Sequence, residues 1–205
     1  MPPSSSAVVQ DISALQEAGR ASLAYFYFDF IDEKKKDLCG ALASILIQLS
    51  VRSGSRCEIL SRLHVAHDDG AHQPSTSTMI ACLKEMLALP EQGPVFIILD
   101  ALDECPNTSG IPSAREEVLD FLRDLVGLRR PNLHICVASR PEIDILSALE
   151  SLALFSLSIH DQDGQEKDIE DYVRSVVYSE SRMKRWRNDD KEMVIETLSE
   201  KADGM

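Results

Sequence analysis

A short acidic cluster, Asp100-Ala101-Leu102-Asp103-Glu104, directly follows an uninterrupted apolar run from Val95 to Leu99. The run predicts a buried parallel strand, and ligands bind beyond the carboxyl ends of such strands in open α/β sheets. Asp100, at the strand tip, is placed to hold a hydrated Mg²⁺ ion, which prefers one or two carboxylates and several waters. Asp103 or Glu104 would then orient or deprotonate an attacking water. The alternative is structural, with Asp100 ending the strand and Asp103 and Glu104 capping the next helix.

A second polar segment, Ser139-Arg140-Pro141-Glu142, follows the next apolar run. An arginine at a neighbouring strand tip matches a sensor position, where a guanidinium reads the terminal phosphate of a nucleotide. Ser139 beside it is the candidate cofactor-binding residue. The alternative is a solvated strand end, since an arginine before a proline is often only that. Parallel strands carry their tips to one edge of the sheet, so five residues are expected to converge there: Asp100, Asp103, Glu104, Ser139 and Arg140.

These residues depend on a framework of alternating strands and helices. Apolar runs predict strands at Leu23–Phe30, Val95–Asp100, Leu133–Ala138 and Leu152–Leu157. Helical spacing predicts helices at Ala7–Glu17, Leu38–Val51, Glu58–His67, Thr78–Leu89, Ala114–Leu128, Glu142–Leu149, Lys167–Ser179 and Asp189–Ala202. The alternation indicates an α/β fold with a mostly parallel sheet covered on both faces, and a short helical segment after it. Val95–Asp100 is expected to lie next to Leu133–Ala138.

Composition excludes several classes of function. The 205 residues are 44% hydrophobic and 27% charged, which is typical of one ordinary globular domain. The formal net charge of −13 would repel a phosphate backbone, so nucleic acid is not expected as a partner. The five cysteines have wide, irregular spacing without a CxxC pair, which indicates reduced thiols, mostly small core residues, in a cytoplasmic protein. No apolar run approaches the ~20 residues of a membrane span, so no membrane partner is expected.

The order of the segments resembles the NACHT-type ATPase module of large fungal receptor-like proteins, which is similar to the nephrocystin-3-like N-terminal domain. Five blocks carry the resemblance: YFYFDF, ILIQLS, FIILDALDECP, ICVASRPE and KADGM. They occur in family order and span the chain from about Ser4 to Met205. The pairing of FIILDALDECP with a downstream SRPE is the most specific of these features.

The resemblance implies a signal-transducing P-loop ATPase of the STAND class, in which nucleotide exchange switches a multidomain receptor that carries repeats. Asp100 would be the Walker B magnesium residue, Asp103 and Glu104 the hydrolytic acids, and Arg140 the sensor. The family's cofactors are Mg²⁺ and ATP, and its partners are proteins or further copies of the parent protein. Residues 1–160 would form a partial NTPase core, and residues 161–205 the start of a truncated helical subdomain.

One family motif is missing, because the phosphate-binding loop GxxxxGK[ST] requires a Gly-Lys pair and the 205 residues contain none. The segment Ser4–Gln10 resembles the helix that should follow this loop, so we expect the chain to start just after its own Walker A motif. In such ATPases the strand before the loop lies between the sensor strand and the final strand. Leu133–Ala138 and Leu152–Leu157 should therefore keep a gap between them or close up directly.

Three functions remain open from the sequence. The first is a degenerate or truncated nucleotide-binding module that takes part in regulated self-association and binds no cofactor tightly on its own. The second is a nucleotide-independent interaction module whose acids are relics of the fold. The third, a magnesium phosphohydrolase built on Asp100 and Asp103, is disfavoured because no nucleophile motif accompanies the acids.

Overall fold

The computed structural model describes residues 5–90, 93–107, 112–157 and 165–201. The chain divides after Leu154 into two compact units, an α/β unit and then a helical unit. The predicted boundary between residues 160 and 161 lies outside the described residues, as does most of the KADGM block. The described helices are α1 (Ser5–Glu17), α2 (Leu38–Ser50), α3 (Gly54–Ala66), α4 (Thr76–Ala88), α5 (Ala114–Gly127), α6 (Ile143–Leu149), α7 (Gln165–Ser179) and α8 (Asn188–Lys201).

The sheet of the first unit consists of β1 (Ser22–Tyr27), β2 (Val95–Asp100) and β3 (Leu133–Val137). Its order is β1-β2-β3 and both pairings are parallel, which confirms the predicted fold class and the predicted neighbours. β1 is shorter than predicted. Phe28 still donates its N–H to the carbonyl of Asp100 at 3.0 Å, but the chain then turns, and the Asp29 carboxylate accepts the N–H of Ile31 at 2.9 Å.

One face of the sheet carries the hydrophobic core of this unit. Alternate strand residues enter it, as expected for a period of two: Ala24, Phe26, Val95, Ile97 and Leu99. Helix α2 packs on β1, α4 and α5 pack on α2, and α3 packs on α2 and α4. The core helices begin at side-chain caps, from Asp37, Ser53, Ser75 and Ser113. Local sequence therefore determines where each of these helices begins.

The second face of the sheet is only partly covered, whereas the sequence predicted cover on both faces. Helix α1 contacts β1 and β2. We place α1 on this face because Leu23 and Ile98, which point to it, are buried outside the main core cluster. Beyond α1, no helix of the first unit within the described ranges covers this face, where Tyr25 and Tyr27 are exposed and Phe96 stacks on His134 at 4.7 Å between ring centroids.

The two edges of the sheet differ. Along the outer edge of β1, the Gln48 side chain accepts the Tyr25 N–H at 3.1 Å and donates to the Tyr25 carbonyl at 2.7 Å. Along the outer edge of β3, the N–H and C=O groups of Ile135 and Val137 point away from β2, because Ala138 and Asn132 supply the bonds to β2. Among the described residues no strand lies beside that edge.

The predicted strand Leu152–Leu157 is wrong. After α6 the chain makes a turn in which the N–H groups of Leu152 and Ala153 both donate to the Leu149 carbonyl at 2.9 Å. No strand forms between residues 152 and 157, and Leu154 and Phe155 are 92% and 94% exposed. The expected gap or closure between two strands therefore does not arise. Apolar composition alone does not make a strand, because a strand also needs a neighbour with which to share its hydrogen bonds.

In the helical unit, α7 and α8 pack against each other. Arg174 of α7 donates to Glu170 in its own helix and to Glu192 of α8, both at 2.8 Å. The Tyr178 hydroxyl donates to the same Glu192 at 2.9 Å. Lys191 lies over the ring of Tyr178, 4.8 Å from its centroid, so the polar contacts and one cation–π contact tie the two helices together.

No helix within the described ranges is both long enough and apolar enough to cross a bilayer.

We predict that Gly40→Ala destabilises the first unit. Gly40 lies in the first turn of α2, and a Cβ there would overlap the backbone oxygen of Lys34, which belongs to the tightly bonded loop before the helix. Because a backbone oxygen cannot rotate away, the free energy of unfolding should fall by about 1–3 kcal/mol in urea titrations.

Gly127→Ala is the matched control, since a Cβ at Gly127 would meet no atom within 4 Å. This substitution should raise the free energy of unfolding by about 0.5 kcal/mol, because alanine loses less backbone entropy on folding. Equal effects of the two substitutions would show that the Lys34–Gly40 contact is not a packing constraint.

Candidate functional site

The acidic cluster forms a tight bend at the carboxyl end of β2. Ala101 adopts a left-handed conformation with φ 54°, which costs about 1–2 kcal/mol for a residue with a Cβ. The Asp100 carboxylate accepts the Ala101 N–H at 2.8 Å, and Leu102–Glu104 then form one turn of 3₁₀ helix. Leu102 donates its N–H to the Ala138 carbonyl at 3.1 Å, so the bend is attached to the end of β3.

Asp103 contacts the segment that follows β3. Its carboxylate accepts the Arg140 N–H at 3.0 Å and the Ser139 hydroxyl at 3.4 Å, and lies 3.5 Å from the Arg140 Nε. The Asp103 side chain is only 10% exposed, whereas the Arg140 side chain is 80% exposed. The expected convergence of these three residues is confirmed, and the guanidinium of Arg140 remains accessible to solvent.

Asp100 emerges at the same edge but belongs to the open second face of the sheet. It lies opposite Tyr27 in the β1–β2 register. Burial raises the pKa of Tyr27, and the negative charge of Asp100 raises it further. Burial and then Asp100 also raise the pKa of the Cys136 thiol. The negative charge of Asp100 therefore acts on side chains of both neighbouring strands, Tyr27 of β1 and Cys136 of β3.

Glu104 completes the 3₁₀ turn, and its N–H donates to the Ala101 carbonyl at 2.9 Å. Its side chain is partly exposed and has no hydrogen bond or ion pair to any residue that the structure describes. Of the two predicted hydrolytic acids, Glu104 is thus available to a ligand, whereas Asp103 already accepts hydrogen bonds within the protein.

The sequence interpretation missed Arg115, which holds the site together. Arg115 lies in the first turn of α5, and its side chain is 6% exposed. Its Nη2 donates to the Asp103 carbonyl at 2.6 Å and its Nε to the Cys105 carbonyl at 2.9 Å. Its Nη1 contacts the carboxylates of Glu142 and of Asp144, the latter at 3.1 Å. One guanidinium therefore joins the bend after β2 to the start of α6.

The electrostatics of Arg115 are consistent with this role. Burial alone would lower its pKa, but the hydrogen bonds that it donates to Glu142 and Asp144 outweigh burial and raise the pKa. A sequence signal for Arg115 does exist. It lies three and seven residues before Val118 and Leu122, on the core-facing side of α5, where an arginine must find internal partners.

Cys105 is buried beneath the bend, and its thiol donates to the Lys36 carbonyl at 3.2 Å. Burial raises the pKa of this thiol to about 12, although the charge of Arg115 acts in the opposite direction. A thiol with this pKa is not a nucleophile at neutral pH. All five cysteines are free, and Cys82 and Cys105 are the buried ones.

The donors at this edge suit only some metal ions. Within the described part of the chain, no three His, Cys, Asp or Glu side chains form a cluster that could hold a metal. Mg²⁺ does not need such a cluster, because it retains several waters and binds one or two carboxylates. Asp100 could supply one such carboxylate while it accepts the Ala101 N–H, and the Asp103 carboxylate is engaged by Ser139 and Arg140.

Comparison with known families matches most of the first unit to a family model. The family model described as nephrocystin 3, N-terminal, matches residues 4–140, which is more than half of the chain. The matched range includes β1, β2, β3, the acidic cluster and Arg140. The comparison with curated proteins finds no match.

We predict that Arg115→Ala lowers the free energy of unfolding by about 2–3 kcal/mol, because it removes a charged donor from two carbonyls and two carboxylates. Arg123→Ala is the control on the same helix, since Arg123 forms an exposed ion pair with Asp120. Its effect should stay below about 0.5 kcal/mol. Arg115→Lys keeps the positive charge but loses the guanidinium with its several N–H donors, so its effect on the free energy of unfolding should fall between those of the two alanine variants. Urea unfolding that gives equal values for the two alanine variants would contradict this role of Arg115.

We also predict that Cys105 resists alkylation in the folded protein. With its pKa raised to about 12, the thiol stays protonated at pH 8, and burial excludes the reagent. Cys57 is exposed and serves as the internal control. Peptide mass mapping after iodoacetamide treatment at pH 8 should find Cys57 modified first, and Cys105 only after urea is added. Equal rates without urea would show that the bend opens readily.

Proposed function

The chain belongs to the family of nephrocystin 3 N-terminal domains, and on this premise we propose that it is part of a nucleotide-binding signal-transduction ATPase module of the NACHT type. The observation that supports the proposal is the contact of Asp103 with Ser139 and Arg140. It brings the acidic cluster and the predicted sensor to one edge of a parallel sheet, which is where α/β proteins bind nucleotides.

Each residue has a distinct role in the proposal. Asp100 is the Walker B carboxylate that would hold Mg²⁺, and the ion would supply charge neutralisation for the phosphates. Glu104 orients the attacking water, with Asp103 as the second acid of the pair. Ser139 and Arg140 bind the terminal phosphate. The exposed Arg140 guanidinium can leave Asp103 for a phosphate, because its backbone N–H would still hold the loop in place.

This chain alone is a poor nucleotide binder in our proposal. Its sequence contains no Gly-Lys pair and so supplies no phosphate-binding loop. Three carboxylates at the site and a net charge of −13 would repel ATP unless Mg²⁺ intervenes. ATP hydrolysis should therefore be undetectable, and nucleotide binding weak and dependent on Mg²⁺.

A second candidate function is a nucleotide-independent interaction module, acting through protein partners or self-association of the parent protein in the cytoplasm. It is favoured by the contacts of Asp103, whose side chain is only 10% exposed and whose carboxylate accepts hydrogen bonds from Ser139 and Arg140. An acid used in this way stabilises a loop whether or not a nucleotide binds.

An NMR titration of the whole chain distinguishes the two functions. With millimolar ATP and Mg²⁺, the first predicts shifts of the Ala101, Ser139 and Arg140 amides that disappear without Mg²⁺ and in Asp100→Asn. Asp120→Asn, at an exposed position of α5, is the control and should leave the shifts unchanged.

Two outcomes would contradict the proposal. The absence of any Mg²⁺-dependent shift at these amides would leave the interaction module as the function. A micromolar dissociation constant for Mg·ATP in calorimetry, abolished by Asp100→Ala, would instead show that another segment replaces the phosphate loop.

A further inference from the structure

A cavity of about 320 Å³ opens at the amino-terminal end of the sheet, at the opposite ends of the strands from the acidic cluster. Its walls come from the end of α1, the turn before β1, the end of α2, the start of α3 and the residue Gly93 before β2. Three of the lining residues are arginines: Arg20, Arg52 and Arg56. All of the walls belong to the first unit.

Separate elements hold the three arginines at the cavity. Arg56 is 4% exposed and donates from Nη1 to the Ser22 hydroxyl at 2.7 Å. Arg52, at the end of α2, donates to the Gln16 carbonyl at 3.3 Å. Arg20 follows Gly19, whose positive φ of 69° ends α1, and its N–H donates to the Leu15 carbonyl at 2.9 Å. The backbone on which Arg20 sits is therefore fixed.

The charge of this cavity contrasts with that of the chain. Among the lining residues that the structure describes, three are arginines and Glu17 is the one acid, in a protein of net charge −13. Neither Arg20 nor Arg52 forms an ion pair with any residue in the described ranges. Burial lowers the pKa of Arg56, because its surroundings disfavour the charged form.

We propose that this cavity is a binding site for a phosphate group. Guanidinium groups bind phosphate through paired hydrogen bonds, and at pH 8 phosphate carries close to two negative charges, so a cavity lined by three arginines favours it. The volume accommodates a phosphate with a small substituent. This site is separate from the proposed nucleotide site, because it lies at the opposite ends of the strands.

A structural role for the arginines is the competing explanation. The ends of α1 and α2 present carbonyl groups with partial negative charge, and arginines stabilise such helix ends without any ligand. On that explanation phosphate would act only through ionic strength. A test must therefore compare phosphate with a monovalent salt at equal ionic strength.

The experiment is an NMR titration of the whole chain at pH 8 with EDTA, which removes divalent cations and so separates this site from the nucleotide site. Inorganic phosphate should shift the Gly19 and Gly93 amides with saturation, and chloride at the same ionic strength should not. O-phosphoserine tests whether the site also binds a phosphomonoester, and succinate tests whether it binds a dicarboxylate equally well. A response to succinate as strong as that to phosphate would contradict selectivity for phosphate.

Variants make the test specific. Arg20→Gln with Arg52→Gln should weaken phosphate binding by about tenfold or more, since two charge-assisted contacts are lost. Arg62→Gln with Arg123→Gln removes the same charge from exposed positions and should leave the affinity unchanged. Replacing Arg20 and Arg52 with lysine should give an intermediate affinity. Equal shifts with chloride, or full affinity in the Arg20/Arg52 glutamine variant, would overturn the proposal.

Discussion

The contacts of Arg115 are the interaction on which the candidate site depends. Its guanidinium donates to the carbonyls of Asp103 and Cys105 and contacts Glu142 and Asp144, so it joins the segment after β2 to the segment after β3. A cation in the first turn of a helix opposes the helix dipole. Here the carbonyls and carboxylates around it more than compensate. Asp103 then completes the connection by holding Ser139 and Arg140.

The sequence predicted strands correctly where an apolar run also lies beside another strand with which it can form hydrogen bonds. Val95–Asp100 has the predicted bounds, and the predicted Leu133–Ala138 is one residue longer than β3, because both are apolar runs next to another strand. Leu152–Leu157 is equally apolar and forms no strand. The difference lies in hydrogen-bond partners, which are set by the arrangement of distant segments and are not visible in a local run of residues. The second face is open for a related reason, since periodicity shows which side chains could be buried and not what covers them.

The sequence predicted where the residues of the candidate site lie, but it did not predict the hydrogen bonds that they form with one another. The acids and the arginine follow strand tips, and parallel strands bring such tips together whatever their function. The sequence could not show that Asp103 is nearly buried and bonded to Arg140, because that contact spans 37 residues. Arg115 was overlooked for a related reason, since its partners are two backbone carbonyls and two carboxylates that lie 10 to 29 residues away in the chain. Backbone carbonyls occur at every residue, so no sequence motif marks the ones that an arginine will bind.

Among the described residues, the outer edge of β3 has no neighbouring strand, and this edge ends at Ser139 and Arg140. Gln48 occupies the outer edge of β1, which removes that edge as a site for another strand, whereas Ile135 and Val137 direct their N–H and C=O groups outward from β3. A strand added in parallel to β3 would end beside Ser139 and Arg140, because parallel strands finish at the same edge. Within the described ranges, the edge of the sheet beside Ser139 and Arg140 is therefore also the edge at which another strand could pair.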